Sequence, residues 1–108
     1  MSRAVYRYSF DDRVAMADVR DTLFLAVFSA EGQYGRTRVR LDAAFRLEED
    51  RRTCAIDGAT PVGQTIVSVF TELLARELGE EAFTVERLLE PPEPEAEPEP
   101  PSREGAAR

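Results

Sequence analysis

Histidine, lysine, asparagine and tryptophan do not occur in this chain of 108 residues, and cysteine occurs once. With no histidine and only Cys54, the chain lacks the ligands of the usual zinc sites and any Ser-His or Cys-His nucleophile pair. No side chain has an ordinary pKa near neutrality, which disfavours general acid–base catalysis. A lone cysteine forms no internal disulfide, so a reducing, cytoplasmic setting is expected. Long apolar runs are missing too. The longest, Leu23 to Phe28, is far short of the roughly 20 residues a membrane helix needs, and no basic-apolar-small signal opens the chain. Neither a Walker-type loop nor a GxGxxG after a strand is present. The sequence therefore implies no cofactor, no metal and no membrane association.

Arginine supplies all 14 basic residues, a usage that fits a GC-rich bacterial genome. The net charge of −7 is unevenly placed. Residues 1–89 carry 12 Arg against 15 acids, whereas residues 90–108 carry 2 Arg against 6 Glu. The first part is nearly balanced, so it lacks the basic face that supplies most nucleic-acid affinity, and no nucleic-acid partner is expected. From Glu90 onward, 6 Pro and 6 Glu stand without one aromatic or large aliphatic side chain. Such a segment cannot offset its ordering entropy by burial and is read as a disordered tail. The sequence thus divides into a domain over 1–89 and a tail over 90–108.

Within the domain, Ala4 to Phe10 alternates Tyr6, Tyr8 and Phe10 against Val5, Arg7 and Ser9, a strand pattern. A helix is expected from about Val14 or Asp18 to Tyr34. Met16, Val19, Leu23, Ala26, Val27, Ala30 and Tyr34 fall within one arc of about 100° on it. Arg36 to Glu48 alternates again, Val39, Leu41, Ala43, Phe45 and Leu47 against Arg38, Arg40, Asp42, Ala44 and Arg46, which predicts a half-buried strand with one wet face. A turn at Glu49-Asp50 leads into a strand over Thr53–Asp57. An even-numbered loop would pair Phe45 with Cys54 and Ala43 with Ile56, keeping the larger apolar groups on one face. Thr60 as N-cap, Pro61 at the first helical position and Gly79 past the end frame a second helix. Its expected buried stripe is Val62, Ile66, Val69, Phe70 and Leu73. Phe83 to Leu89 reads as the last strand.

The order β-α-β-β-α-β, with right-handed crossovers and one hairpin, predicts an α+β, ferredoxin-like plait: a four-stranded antiparallel sheet with two helices on one face. Four features then qualify as candidate sites. Arg38, Arg40, Asp42, Arg46 and Asp57 are placed on the open sheet face, with Asp42 opposite Asp57. Like charges so placed need compensation. An RNA-binding reading of that face requires exposed aromatics, and the aromatics of the first strand point inward. Thr60, Gly63 and Gln64, in the loop entering the second helix, could hold an anion at free backbone N–H groups. Cys54 falls at an inward position and reads as a small core residue. Lastly, Phe24, Leu25 and Phe28 lie off the core arc of the first helix, with Leu25 taken as the farthest. Such surplus apolar surface marks an interface for a protein partner or a second copy. The leading expectation is a non-catalytic interaction or regulatory module that self-associates. The alternative is a sensor of an anionic metabolite at the Asp57–Gly63 loop, and an enzyme using Arg and Asp of the sheet is the least favoured.

Overall fold

The computed structural model describes residues 3–90. The expected tail therefore lies, apart from Glu90, outside the described residues. The elements are strand β1 (Arg3–Phe10), helix α1 (Met16–Tyr34), helix α2 (Arg36–Asp42), strand β2 (Phe45–Glu48), strand β3 (Thr53–Asp57), helix α3 (Pro61–Leu78), a 3-10 turn (Glu80–Ala82) and strand β4 (Phe83–Glu90). The class is α+β. All strand pairs are antiparallel, in the order β2-β3-β1-β4.

One core holds the layers together. Tyr8 and Phe10 of β1 and Cys54 and Ile56 of β3 meet Val19, Leu23 and Ala26 of α1 and Val62, Ile66, Phe70 and Leu74 of α3. The period-two alternation of β1 places Tyr6, Tyr8 and Phe10 on this face as expected. Tyr8 is fully buried, meets Phe70 edge-on at 4.8 Å between ring centroids, and shares a 2.7 Å hydroxyl hydrogen bond with Thr71. Helix α3 starts and stops where its caps require. The Thr60 hydroxyl accepts the Gly63 N–H at 3.0 Å, Pro61 opens the helix, and Gly79 ends it at φ 89°.

Between Arg36 and Glu48 the structure departs from the expected single strand. Residues Arg36–Asp42 form α2, and only Phe45–Glu48 enters the sheet, so three helices are present instead of two. Gly35, at φ 90°, closes α1 through its N–H to the Glu31 carbonyl and opens α2. Val39 alone then reaches the core, and the Arg38 guanidinium meets Asp42, four residues on, at 2.6 Å. Arginine and leucine are good helix formers, so a Val39/Leu41 alternation is compatible with a helix as well. Arg38, Arg40 and Asp42 consequently leave the open sheet face; of the five residues expected there, only Arg46 and Asp57 lie on the sheet. The opposition of Asp42 and Asp57 does not form either. Asp57 sits across from Val5, and its N–H donates to the Ala44 carbonyl.

The hairpin pairs Phe45 with Ile56 and Leu47 with Cys54. The connecting loop is even, and the faces are those expected, but the pairing is displaced by two residues. A displacement of two preserves every face, which is why alternation alone did not reveal it. Arg52, in that loop at φ 57°, donates from its guanidinium to the Asp11 and Val14 carbonyls and ties the hairpin to the β1–α1 connection.

Burial pushes the Cys54 thiol and the Tyr8 phenol each up to about 12. Both groups therefore stay protonated in the fold at pH values where an unfolded chain would ionise them. Stability should be insensitive to these two groups below about pH 9 and decline as pH rises from there towards 12. A urea midpoint that fell across that window, with Cys54 unreactive to a thiol reagent until unfolding, would match. Rapid labelling of the native chain at pH 8 would not.

Candidate interaction surface

Helix α1 has more apolar side chains than one buried stripe can use. Met16, Val19, Leu23, Ala26 and Ala30 turn into the core, and Thr22 joins them with its hydroxyl donating to the Asp18 carbonyl. Phe24, Leu25 and Phe28 remain 56%, 58% and 72% exposed. The phase expected from the sequence is correct, but the ranking within it changes. Leu25 leans towards α3 and lines a groove of about 320 Å³ with Asp18, Asp21, Thr22, Leu73, Glu77 and Leu78. Phe28, on the side opposite the core, is the most exposed of the three. Phe24 and Phe28 are one turn apart and share that outer side. Leu41 of α2 is exposed as well. Its exposure was hidden in the sequence, because a strand would have turned it inward with Val39.

Helix α1 itself carries Asp18, Arg20 and Asp21 in its N-terminal half and Glu31 near its C-terminus, and Arg20 is paired with Glu49 at 3.5 Å. Its N-terminal end, with the C-terminal end of α3, carries Asp18, Asp21 and Glu77 around the groove. Its C-terminal end leads directly into α2, with Arg36, Arg38 and Arg40. Arg38 is paired with Asp42. Among the described residues, neither Asp21 nor Arg36 has an ion-pair partner. Gly32 stands exposed in the last turns of α1, and a Cβ built there would meet nothing within 4 Å. Among the described residues, no contact requires a glycine at that position.

The loop entering α3 is closed on itself. The Thr60 hydroxyl is engaged by Gly63, the Gln64 amide donates to the Gly58 carbonyl at 2.7 Å, and the Asp57 carboxylate accepts the Ala59 N–H at 2.9 Å. A Cβ on Gly63 would lie 2.1 Å from the Asp57 carbonyl oxygen, so this glycine serves the packing of helix on strand. Tyr6 seats its ring against Gly58, and its phenol is lowered from the ordinary value first by hydrogen bonding to Gln64 and then by Arg87. The three residues expected to bind an anion are thus adjacent, and each already has a partner within the chain.

On the open sheet face, Arg7 meets Glu86 at 2.9 Å and Arg46 lies 3.7 Å from Glu48. The positions there on β1, β3 and β4 are Val5, Arg7, Ser9, Thr53, Ala55, Asp57, Thr84, Glu86 and Leu88, none of them aromatic. The face has no platform on which bases would stack. Among the described residues, no group of three or more acidic or cysteine side chains is placed to hold a metal ion, and no helix is long and apolar enough to cross a membrane. Compared with known protein families, characterised proteins and solved structures, the chain matches none.

Proposed function

We propose that this chain is a non-catalytic interaction module that self-associates through the outer face of α1. The observation that carries the reading is Phe28, 72% exposed on the side of α1 opposite the core, with Phe24 one turn away. A phenylalanine pair so placed adds little to the stability of the monomer and exposes apolar surface. Covering that patch with a second copy removes it from water on both chains at once. Its area, on the order of a few hundred Å² per chain, is below the roughly 800 Å² per partner of a stable complex, so the dimer it supports by itself is a weak one.

The same reading takes the fold as a ferredoxin-like plait, supported by the strand order β2-β3-β1-β4 with α1 and α3 as the two crossovers. Helix α2 is then an addition between the first crossover and β2. A cytoplasmic location fits the single buried thiol. The metabolite-sensor alternative finds less support, because Thr60, Gly63 and Gln64 are spent on internal contacts.

Phe28→Glu tests the reading. The position is exposed, so the variant should fold with a thermal midpoint close to that of the native chain. In an assembled form the substitution would bury an unpaired charge, so association should weaken roughly a hundredfold or more. Light scattering across a micromolar concentration series reads both states. An unchanged assembly in Phe28→Glu would remove the outer face of α1 from consideration.

A further inference from the structure

We infer that two copies pack α1 against α1 in antiparallel orientation about a twofold axis at Phe28, with Asp21 of each chain meeting Arg36 of the other. This inference rests on the self-association proposed above and specifies its geometry. At 100° per residue, Asp21, Phe24, Phe28 and Gly32 fall within an arc of about 80° on the outer side of α1. At 1.5 Å per residue, Phe24 and Gly32 each lie about 6 Å from Phe28 along the helix, and Asp21 about 10 Å. An antiparallel copy centred on Phe28 therefore brings Phe24 of one chain over Gly32 of the other. It also brings Asp21 to the level of Gly35, next to Arg36.

Two features of the chain agree with this arrangement. Gly32 has open space around it and no steric need among the described residues, yet glycine weakens a helix. Beneath Phe24 of a second copy, its missing side chain leaves the depression that an aromatic ring fills. Asp21 and Arg36 have no ion-pair partner among the described residues, and each would find one across the axis. The signs at positions 21 and 36 select the orientation. A parallel pair would set Asp21 on Asp21 and Arg36 on Arg36, and like charges face to face disfavour a partner. An antiparallel pair sets Asp21 of one chain at the level of Arg36 of the other, twice.

Charge reversal in the full chain separates this geometry from self-association as such. Asp21→Arg and Arg36→Glu should each weaken the dimer by about tenfold at low salt, since each places two like-charged pairs at the rim. The double variant, Asp21→Arg with Arg36→Glu, should recover the native association, because it exchanges the signs and keeps the pairs. Gly32→Leu should fold with an unchanged or higher thermal midpoint and associate at least tenfold more weakly, because the depression is filled. Sedimentation equilibrium at low salt reads all four. If Phe28→Glu dissociates the dimer while both single reversals and Gly32→Leu leave it intact, the antiparallel geometry is overturned and self-association through α1 stands. A native chain that remains monomeric overturns both.

Discussion

Gly63→Ala should destabilise the domain by about 3 kcal/mol or more, at the upper end of the cost of overpacking. In an ordinary helix position this substitution would stabilise, by up to about 1 kcal/mol, because alanine is the better helix former. The sign reverses here because of what the added carbon would meet. It would lie 2.1 Å from the carbonyl oxygen of Asp57 and within 3.3 Å of the Gly58 Cα. Both neighbours are backbone, at the junction of β3 and α3, and neither can rotate away. The first turn of α3 would have to lift from the sheet, disturbing the contacts of Val62 and Ile66, which are fully buried. Gly32→Ala is the matched control. With nothing within 4 Å of the new carbon, it should raise monomer stability by about 0.5–1 kcal/mol. Urea midpoints measured side by side would decide, and a Gly63→Ala variant as stable as the native chain would mean that α3 does not seat this closely on β3.

Phe70→Ala should cost about 3–5 kcal/mol. Its ring is fully buried and packs edge-on against Tyr8, itself in contact with Phe10 and Phe83. Removing it leaves a cavity beside the Tyr8 ring, which its hydrogen bond to Thr71 keeps from turning into the space. A domain of this size has about 5–15 kcal/mol of total stability, so the variant should be close to unfolding at physiological temperature. Phe45→Ala provides the contrast. Phe45 is 40% exposed near the free edge of β2, so its loss should cost only about 1–2 kcal/mol. Equal costs at the two positions would contradict the placement of the core between α3 and β1.

What the sequence made legible follows the range of the forces involved. The caps of α3 are local chemistry: Thr60, Pro61 and Gly79 act within a few residues, and their identities suffice to place both ends. The inward faces of β1 and α1 are set by periodicity over a whole element, and Tyr8, Phe10, Val19, Leu23 and Ala26 lie where that periodicity puts them. The Arg36 to Glu48 segment was not legible, because alternating Arg with Val39 and Leu41 suits a strand and a short helix alike. What decided it was tertiary: Gly35 takes a positive φ, and one side chain, Val39, finds room in the core. The hairpin register was legible in parity and not in position, since a shift of two residues leaves each face unchanged. The role of Gly63 was not legible at all, because the atom that demands a glycine belongs to Asp57, six residues earlier and in another element. Phe24, Leu25 and Phe28 were recognisable as surplus from composition and phase. That Leu25 belongs to a groove beside α3 and Phe28 to open surface depends on where α3 lies, which no pattern within α1 encodes.

On the reading proposed above, a second copy covers the exposed side of α1 in solution. Sedimentation equilibrium of the native chain across the micromolar range tests it most directly. The apparent mass should rise with concentration towards twice the 12.1 kDa of the single chain, while Phe28→Glu should stay at the single-chain mass throughout. A native chain that holds the single-chain mass at hundreds of micromolar would contradict it.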